Sequence, residues 1–262
     1  MKFLDIFKIF FVLLLSILFV QPLEAAFEHF YQSYLSETVL QMNQNVGRSK
    51  ETLGFYCQST QLFGMKSLQV ATCELTWRKR IQQYSFRYQQ LGTIKYQEMT
   101  SSFAIQTTLS QNIDIKIGFH FHHLHIKDHL SSHVTSFTIL STYHLPQECF
   151  GFFISNLTHA KLSDDPSPLT QQFSSFYTHN IVNYFSITLQ GTKDMLYPLV
   201  FSAYLMFKPI KHIYTQMSFS NSNQYASWGI GFILSKMQFN YRCDIHSYLG
   251  TSHAISFFCS IR

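Results

Sequence analysis

The chain has 262 residues and a net charge of +5, with 13% charged residues, 27 phenylalanines and 15 tyrosines. Charged residues make up about a quarter of an ordinary soluble domain, so this composition disfavours a soluble globular protein and favours a membrane protein. The basic excess is spread thinly, its one dense run at residues 78–80 fits a solvated hairpin end, and we expect no nucleic-acid partner.

The first residues have the composition of an export signal. Lys2 and Lys8 precede an apolar run over residues 9–20, and Ala25 and Ala26 supply small residues for cleavage. The run is shorter than the roughly 20 residues that a membrane-spanning helix needs. We therefore expect residues 1–25 to be a cleaved signal peptide and residues 26–262 to be the exported domain.

Residues 26–50 follow a different pattern from the rest of the exported chain. Their apolar side chains recur at helix-like intervals, and no Pro or Gly occurs before Gly47. This spacing predicts a short N-terminal helix, either plugging the domain or lying at its rim. An extended leader before the first strand is the alternative.

From residue 51 onward, apolar and polar side chains alternate with a period of two. In residues 113–121, for example, five apolar residues alternate with Asp114, Lys116, Gly118 and His120. Successive side chains of a strand point to opposite faces, so each segment has one apolar and one polar face. Thirteen segments fit this pattern: 51–58, 66–78, 81–90, 94–109, 112–126, 133–145, 149–158, 173–190, 196–208, 211–220, 226–235, 237–246 and 252–262.

An exported chain built from such strands is typical of an outer-membrane protein. Inside a bilayer, strands pair all their backbone groups only in a closed barrel. Because single-chain bacterial barrels have even strand numbers, we expect an all-β, antiparallel transmembrane barrel of about 12 to 14 strands, located in the outer membrane and surrounded by its lipid. The alternative is a secreted soluble β-sandwich that binds a protein or glycan partner.

The barrel hypothesis assigns roles to individual side chains by their face. Polar-face residues are predicted to line the lumen, and the charged or titratable candidates are Asp114, Lys116, His120, Arg242 and Asp244. Large aromatic residues near strand ends are predicted to anchor the barrel at the membrane interfaces, and the candidates are Trp77, Tyr84, Trp228 and Tyr248.

The chain offers little for catalysis or metal binding. His120 and His122 would place two imidazoles on one face of a strand, but no third ligand is evident, so we expect no metal and place the other histidines of 123–133 in a loop. Sequence motifs of hydrolases and nucleotide-binding enzymes do not occur, and we expect neither an enzyme nor a cofactor. A membrane-embedded hydrolase that pairs a serine with His246 or His253 is the remaining alternative. The five cysteines have no metal-binding spacing, and an odd number cannot all pair.

The closing segments carry a resemblance to a known family. The strands 228–232 and 237–241, the turn 246–253 with its His-x-x-Leu-Gly-x-x-His pattern, and the alternating strand 255–261 resemble the last hairpins of the PorV/PorQ-like barrels of Bacteroidetes. That family belongs with the FadL-type outer-membrane barrels. The resemblance implies passive transport of hydrophobic solutes or a role in type IX secretion, with hydrophobic small molecules or secretion-system proteins as partners.

Overall fold

The computed structural model describes residues 52–65, 67–128, 130–161, 169–195, 198–222 and 224–261. The predicted signal peptide and the predicted N-terminal helix lie outside these residues. Within them, the chain is almost entirely β-strand. The strands are β1 Thr52–Gln61, β2 Gln69–Lys79, β3 Gln82–Thr93, β4 Tyr96–Thr108, β5 Ile113–Ile126, β6 Leu130–His144, β7 Glu148–Ile154, β8 Gln172–Val182, β9 Phe185–Asp194, β10 Val200–Ile210, β11 Ile213–Ser220, β12 Gln224–Leu234, β13 Met237–His246 and β14 Gly250–Ile261.

The fourteen strands form a closed antiparallel barrel. Each strand pairs with the next one along the chain, and β1 pairs with β14, so that every strand has a neighbour on both sides. Among the described strands, closure leaves none at an open edge of the sheet. The predicted barrel is confirmed. The β-sandwich alternative is wrong, because the strands form one closed sheet and not two stacked sheets.

The strand count differs from the sequence pattern at one place. The segment predicted as a single strand over 173–190 is two strands, β8 and β9, joined by the two residues Asn183 and Tyr184. Neither Gly nor Pro occurs in this segment, and even-numbered residues such as Ser174, Thr178 and Thr188 face inward on both strands. Asn183 is the one residue of this turn that turns favour, and without Gly or Pro beside it the sequence did not predict the hairpin.

The connections divide the barrel into a turn end and a loop end. The turn end holds the start of β1, the finish of β14 and the short turns 80–81, 109–112, 145–147, 183–184, 211–212 and 235–236. The loop end holds the other connections, of which the one between β7 and β8, residues 155–171, is the longest. Another, 62–68, includes a turn of 3-10 helix, η1, at Leu62–Gly64.

The two faces of the barrel wall differ in polarity. Outward-facing side chains are mostly large and apolar: Phe119 keeps 41% of its surface exposed, although it lies in the middle of β5. Inward-facing side chains are mostly polar and buried, and His120, the next residue, is 0% exposed. A soluble protein has the opposite arrangement, with apolar groups inside. Among the described residues, no helix is long and apolar enough to cross a membrane.

Candidate functional site in the barrel lumen

One wall of the lumen, formed by β2 to β6, is hydrophilic. Its inward side chains carry hydroxyl, amide, imidazole and charged groups, and all of them are buried: Glu74, Arg87, Gln89, Glu98, Thr100, Ser102, Asp114, Lys116, His120, His122, Ser136 and Thr138. Their positions follow from the period of two, since each strand contributes every second residue to this face. We call this set the polar wall.

Two histidines organise the centre of the polar wall. His120 Nδ1 lies 2.7 Å from Ser102 Oγ, and His120 Nε2 lies 2.9 Å from Thr138 Oγ1. Each ring therefore joins three neighbouring strands, because Ser102 is on β4, His120 on β5 and Thr138 on β6. In either neutral tautomer of His120, one of the two hydroxyl groups donates to the unprotonated ring nitrogen. The other hydroxyl accepts from the ring N–H, so both nitrogens are satisfied.

His122 repeats the arrangement one step toward the loop end. Its Nδ1 lies 3.0 Å from Thr100 Oγ1 and its Nε2 lies 2.9 Å from Ser136 Oγ. The two imidazole centroids are 6.1 Å apart. Among the described residues, no group of three or more His, Cys, Asp or Glu side chains is placed to hold a metal ion. The ring nitrogens are instead used in hydrogen bonds between strands.

Charged groups face the lumen as close pairs of opposite sign. Arg87 Nη1 lies 3.8 Å from Glu74 Oε2, with both side chains at least 95% buried. On β13, three strands away from β2 around the barrel, Arg242 Nε lies 3.0 Å from Asp244 Oδ1. Pairing inside the lumen lowers the cost of removing these charges from bulk water. The lumen thus carries both signs of charge.

A second part of the lumen wall, on β7 to β11, carries aromatic and apolar side chains among polar ones such as Ser174, Thr178 and Thr188. The inward side chains there include Phe153, Phe176, Tyr204, Met206 and Tyr214. We call these five residues the aromatic patch. Glycines opposite the rings provide room for them, since a Cβ atom added at Gly151 would overlap the Phe176 ring. The lumen therefore presents a polar wall on β2 to β6 and, on β7 to β11, an aromatic patch interspersed with polar residues.

The residues predicted to line the lumen lie on the inward face. Asp114, Lys116 and His120 belong to β5, and Arg242 and Asp244 belong to β13. Asp114 Oδ2 also contacts Nε2 of His144 at 3.2 Å, near the turn end. Glu74 and Arg87 also stand on the polar face of the alternation in β2 and β3, but they were not among the predicted lumen residues. The aromatic patch was not predicted either, because apolar residues on the polar face of a strand depart from the alternation on which the prediction rested.

The four predicted interface aromatics all have exposed surface, but at different levels of the wall. Trp77 stacks on Tyr84 at the turn end, with ring centroids 5.6 Å apart, and Lys79 Nζ lies 5.8 Å from the Trp77 ring. Tyr248 is in the turn 247–249 at the loop end. Trp228 lies within β12 and makes an edge contact with Tyr241. The turn end therefore has an outward aromatic pair beside a basic run.

Three of the other histidines, which we predicted to lie in a loop, lie in strands, and His129 is outside the described residues. His123 and His125 continue β5, and His133 lies in β6, where it is the partner of His123. The outward ring of Phe121 stacks on His133, with centroids 6.0 Å apart. These histidines lie in strands because the β5–β6 hairpin extends further toward the loop end than the apolar-polar alternation in the sequence does.

One serine–histidine contact of the kind considered for a hydrolase is present. His246 Nε2 lies 3.2 Å from Ser252 Oγ, and that hydroxyl also accepts a hydrogen bond from the Phe63 backbone N–H at 3.0 Å. The Phe63 ring packs edge-on against His246, and Ser252 is fully buried. The contact thus fastens η1 to β14 beneath a covering turn, which keeps a substrate away from the hydroxyl. His253, on the outward face, contacts the Tyr241 hydroxyl instead.

Comparison by sequence gives no match, neither to a family model nor to a curated protein. Comparison of structures gives many matches, and those described here are at low identity. A FadL homologue of Pseudomonas aeruginosa has a TM-score of 0.52 at 8% identity, covering 80% of this chain and 89% of the homologue. The CymD monoaromatic hydrocarbon channel has a TM-score of 0.53 at 9% identity, covering 84% and 90% of the two chains.

The outer membrane protein Omp33 of Acinetobacter baumannii gives a similar result. Its TM-score is 0.53 at 9% identity, with 82% of this chain and 100% of Omp33 covered. At such identities the likeness establishes the fold alone. That fold is a closed barrel of the type found in outer-membrane proteins, in agreement with the FadL-type architecture implied by the closing hairpins.

Proposed function

We propose that the protein is an outer-membrane barrel through which small hydrophobic or amphipathic solutes pass without energy input. The observation that carries this proposal is the polarity of the closed wall: apolar residues face outward and polar residues face inward. An apolar exterior costs free energy in water but is favourable against lipid acyl chains. We therefore assign the outward face to lipid and the inward face to the solute path.

The connections support one orientation in the membrane. Outer-membrane barrels have short turns on the periplasmic side and longer loops on the outside. The turn end, which also holds both ends of the barrel domain, then faces the periplasm. In this orientation Trp77, Tyr84 and the basic residues 78–80 lie at the periplasmic interface, where aromatic rings and cations are favourable.

The aromatic patch supports hydrophobic or amphipathic solutes over purely polar ones. Binding sites for small organic molecules combine apolar walls with a few well-placed polar groups. Tyr204, Tyr214 and Phe176 supply apolar surface, and the polar wall supplies hydrogen-bonding groups. Among the proteins of similar fold, one is named as a monoaromatic hydrocarbon channel, which makes aromatic compounds the first solutes to test.

Reconstitution tests the proposal directly. The purified full-length protein is inserted into phospholipid vesicles, and entry of a monoaromatic compound, a medium-chain fatty acid and a disaccharide is followed. We expect faster entry of the first two than in empty vesicles, with a smaller effect on the sugar. Equal entry in vesicles with and without the protein would rule out a transport role, and recovery of the protein in the soluble periplasmic fraction would rule out the outer-membrane location.

The resemblance of the closing hairpins to PorV/PorQ-like barrels supports a second role, in type IX secretion. Deleting the gene and measuring export of secreted cargo proteins tests this role. Reduced export with unchanged solute uptake would favour the secretion role. Unchanged export with reduced uptake would favour the channel.

The predicted N-terminal processing is tested separately. We propose cleavage after residue 25 and a plug or helix at 26–50, which precedes the periplasmic start of β1. Mass spectrometry of the membrane protein locates the new N-terminus. A variant lacking 26–50 is expected to admit solutes faster if this segment plugs the lumen, and at an unchanged rate if it is an extended leader.

A further inference from the structure

Two cysteines face each other across the first hairpin of the barrel. Cys57 on β1 and Cys73 on β2 are direct partners in the antiparallel register, and their sulfur atoms are 3.2 Å apart. Both side chains point outward, on the same face as the exposed Phe55 and Leu75. Neither sulfur is enclosed by the core, so both are open to chemistry before the barrel meets lipid.

The position of the two residues satisfies the geometric requirements of a disulfide. Directly opposed residues of antiparallel strands have Cα atoms about 4.5–5.5 Å apart. Disulfides span Cα separations of about 4.4–6.8 Å. Rotation of the two side chains is therefore enough to join the sulfurs, and the backbone register of β1 and β2 stays as it is.

The other cysteines have different neighbours. All five lie in described strands, and each has its cross-strand partners defined. Cys149 is opposite His144 and Thr178, Cys243 is opposite Trp228 and His253, and Cys259 is opposite Phe55 and Met237. The odd number of cysteines is thereby resolved into one opposed pair and three single thiols.

We propose that Cys57 and Cys73 form a disulfide bond in the mature protein. An exported chain meets an oxidising compartment, in which disulfides persist. The oxidant is a thiol oxidoreductase that carries a disulfide. The thiolate of one cysteine attacks that disulfide and forms a mixed disulfide, releasing one carrier thiol. The second thiolate displaces the other carrier thiol, so two protein thiols become one disulfide and the carrier disulfide becomes two thiols.

The bond would act on closure of the barrel. β1 must pair with β2 on one side and with β14, the last strand, on the other. Linking Cys57 to Cys73 fixes the register of the first hairpin while the remaining strands assemble, and a slipped register would turn apolar residues toward the lumen. The free edge of β1 is then presented to β14 in its final position.

Peptide mapping tests the bond without any variant. Trypsin cleaves after Lys50, Lys66 and Arg78, so Cys57 and Cys73 fall in separate peptides, 51–66 and 67–78. Full-length protein is taken from membranes under denaturing, non-reducing conditions, with free thiols alkylated at once. We expect the two peptides to be linked in most molecules and separated by reduction, and Cys149, Cys243 and Cys259 to be alkylated.

Alkylation of Cys57 and Cys73 in most molecules of the membrane protein would overturn the proposal, as would a bond from either one to a different cysteine. A Cys57→Ser variant provides the control, because its Cys73 must become alkylated. A Cys243→Ser variant must keep the 51–66 to 67–78 link. The test is independent of solute transport: a linked hairpin in a barrel that admits no solute would support the bond and reject the channel.

Discussion

The ring of Tyr214 lies directly over Gly231 on the neighbouring strand, so a Cβ atom at this glycine would overlap the ring. Gln238 Nε2, on the strand beyond Gly231, donates a hydrogen bond to the Tyr214 hydroxyl at 2.5 Å. Replacing Gly231 with valine should therefore push the ring off its position and destabilise the folded barrel, by about 1–3 kcal/mol for an overpacked site. The measurement is the denaturant midpoint of the refolded protein, read from the mobility shift of unheated samples on gels.

Gly191→Val is the matched control for this substitution. Gly191 faces outward, and the nearest side-chain atom to its Cβ position belongs to Phe201, at 3.6 Å. We expect little change of the midpoint there. A Tyr214→Ala, Gly231→Val double variant should recover part of the loss, and a Gly231→Val protein as stable as the parent would show that the ring is not fixed.

The outward face at Phe119 allows a test of whether the barrel meets lipid. Phe119 lies mid-strand and packs edge-on against Phe137, with centroids 5.2 Å apart. An arginine on the lipid face near the bilayer midplane costs about 2–4 kcal/mol. Phe119→Arg should thus reduce the free energy of folding into vesicles by that order, as measured by urea titration.

Ile94→Arg provides the comparison for the lipid-facing position. Ile94 is in the turn 94–95 at the loop end and is 85% exposed, so a charge there should reach water at no cost. Equal stability of the two arginine variants in vesicles would contradict a lipid-facing Phe119, and the proposed membrane location would fall with it.

The sequence predicts the class of fold because one local property, the alternation of side chains, repeats in every strand. That property was enough to place His120 and Asp244 on the polar face. It did not reveal the turn at Asn183 and Tyr184, since even-numbered residues face inward on both β8 and β9. Strand number depends on closure, and closure is a contact between residues nearly the whole chain apart, such as Leu53 and Ile261.

The candidate site was predictable only in part, for a similar reason. Which polar residues point inward follows from parity along each strand. Which of them touch depends on register between strands, and the hydroxyl partners of His120 come from β4 and β6. The aromatic patch and the Cys57–Cys73 pair are likewise relations between strands, so no single segment contains them.

The hydrogen bonds of His120 make a prediction about stability. A leucine at this position would leave two buried hydroxyl groups, those of Ser102 and Thr138, without their imidazole partner. A lost partner for a buried polar group costs about 1–3 kcal/mol, so His120→Leu should lower the free energy of unfolding by at least this order. Denaturant titration in detergent measures it.

A double-mutant cycle separates these hydrogen bonds from the general effect of a new side chain. Ser102→Ala is combined with His120→Leu, and the loss in the double variant should be smaller than the sum of the two single losses, because the shared contact is removed only once. Additive losses would mean that the contact between the two side chains contributes nothing.

Lys116 offers a prediction about the charge of the solute path. Its side chain is buried on the inward face of β5, one inward position from Asp114. A charge within a low-dielectric wall has a strong effect on ions that pass near it, because field lines concentrate in the aqueous space. Replacing Lys116 with glutamine removes a positive charge from the lumen. In a planar bilayer with a salt gradient, the reversal potential should shift toward greater cation preference.

Lys211→Gln is the control, because Lys211 is exposed in the turn 211–212. This variant removes the same charge outside the lumen and should shift the reversal potential little. Equal shifts of the reversal potential in both variants would contradict the prediction, because ions would then respond to the charge at the turn end and not to the inward face of β5.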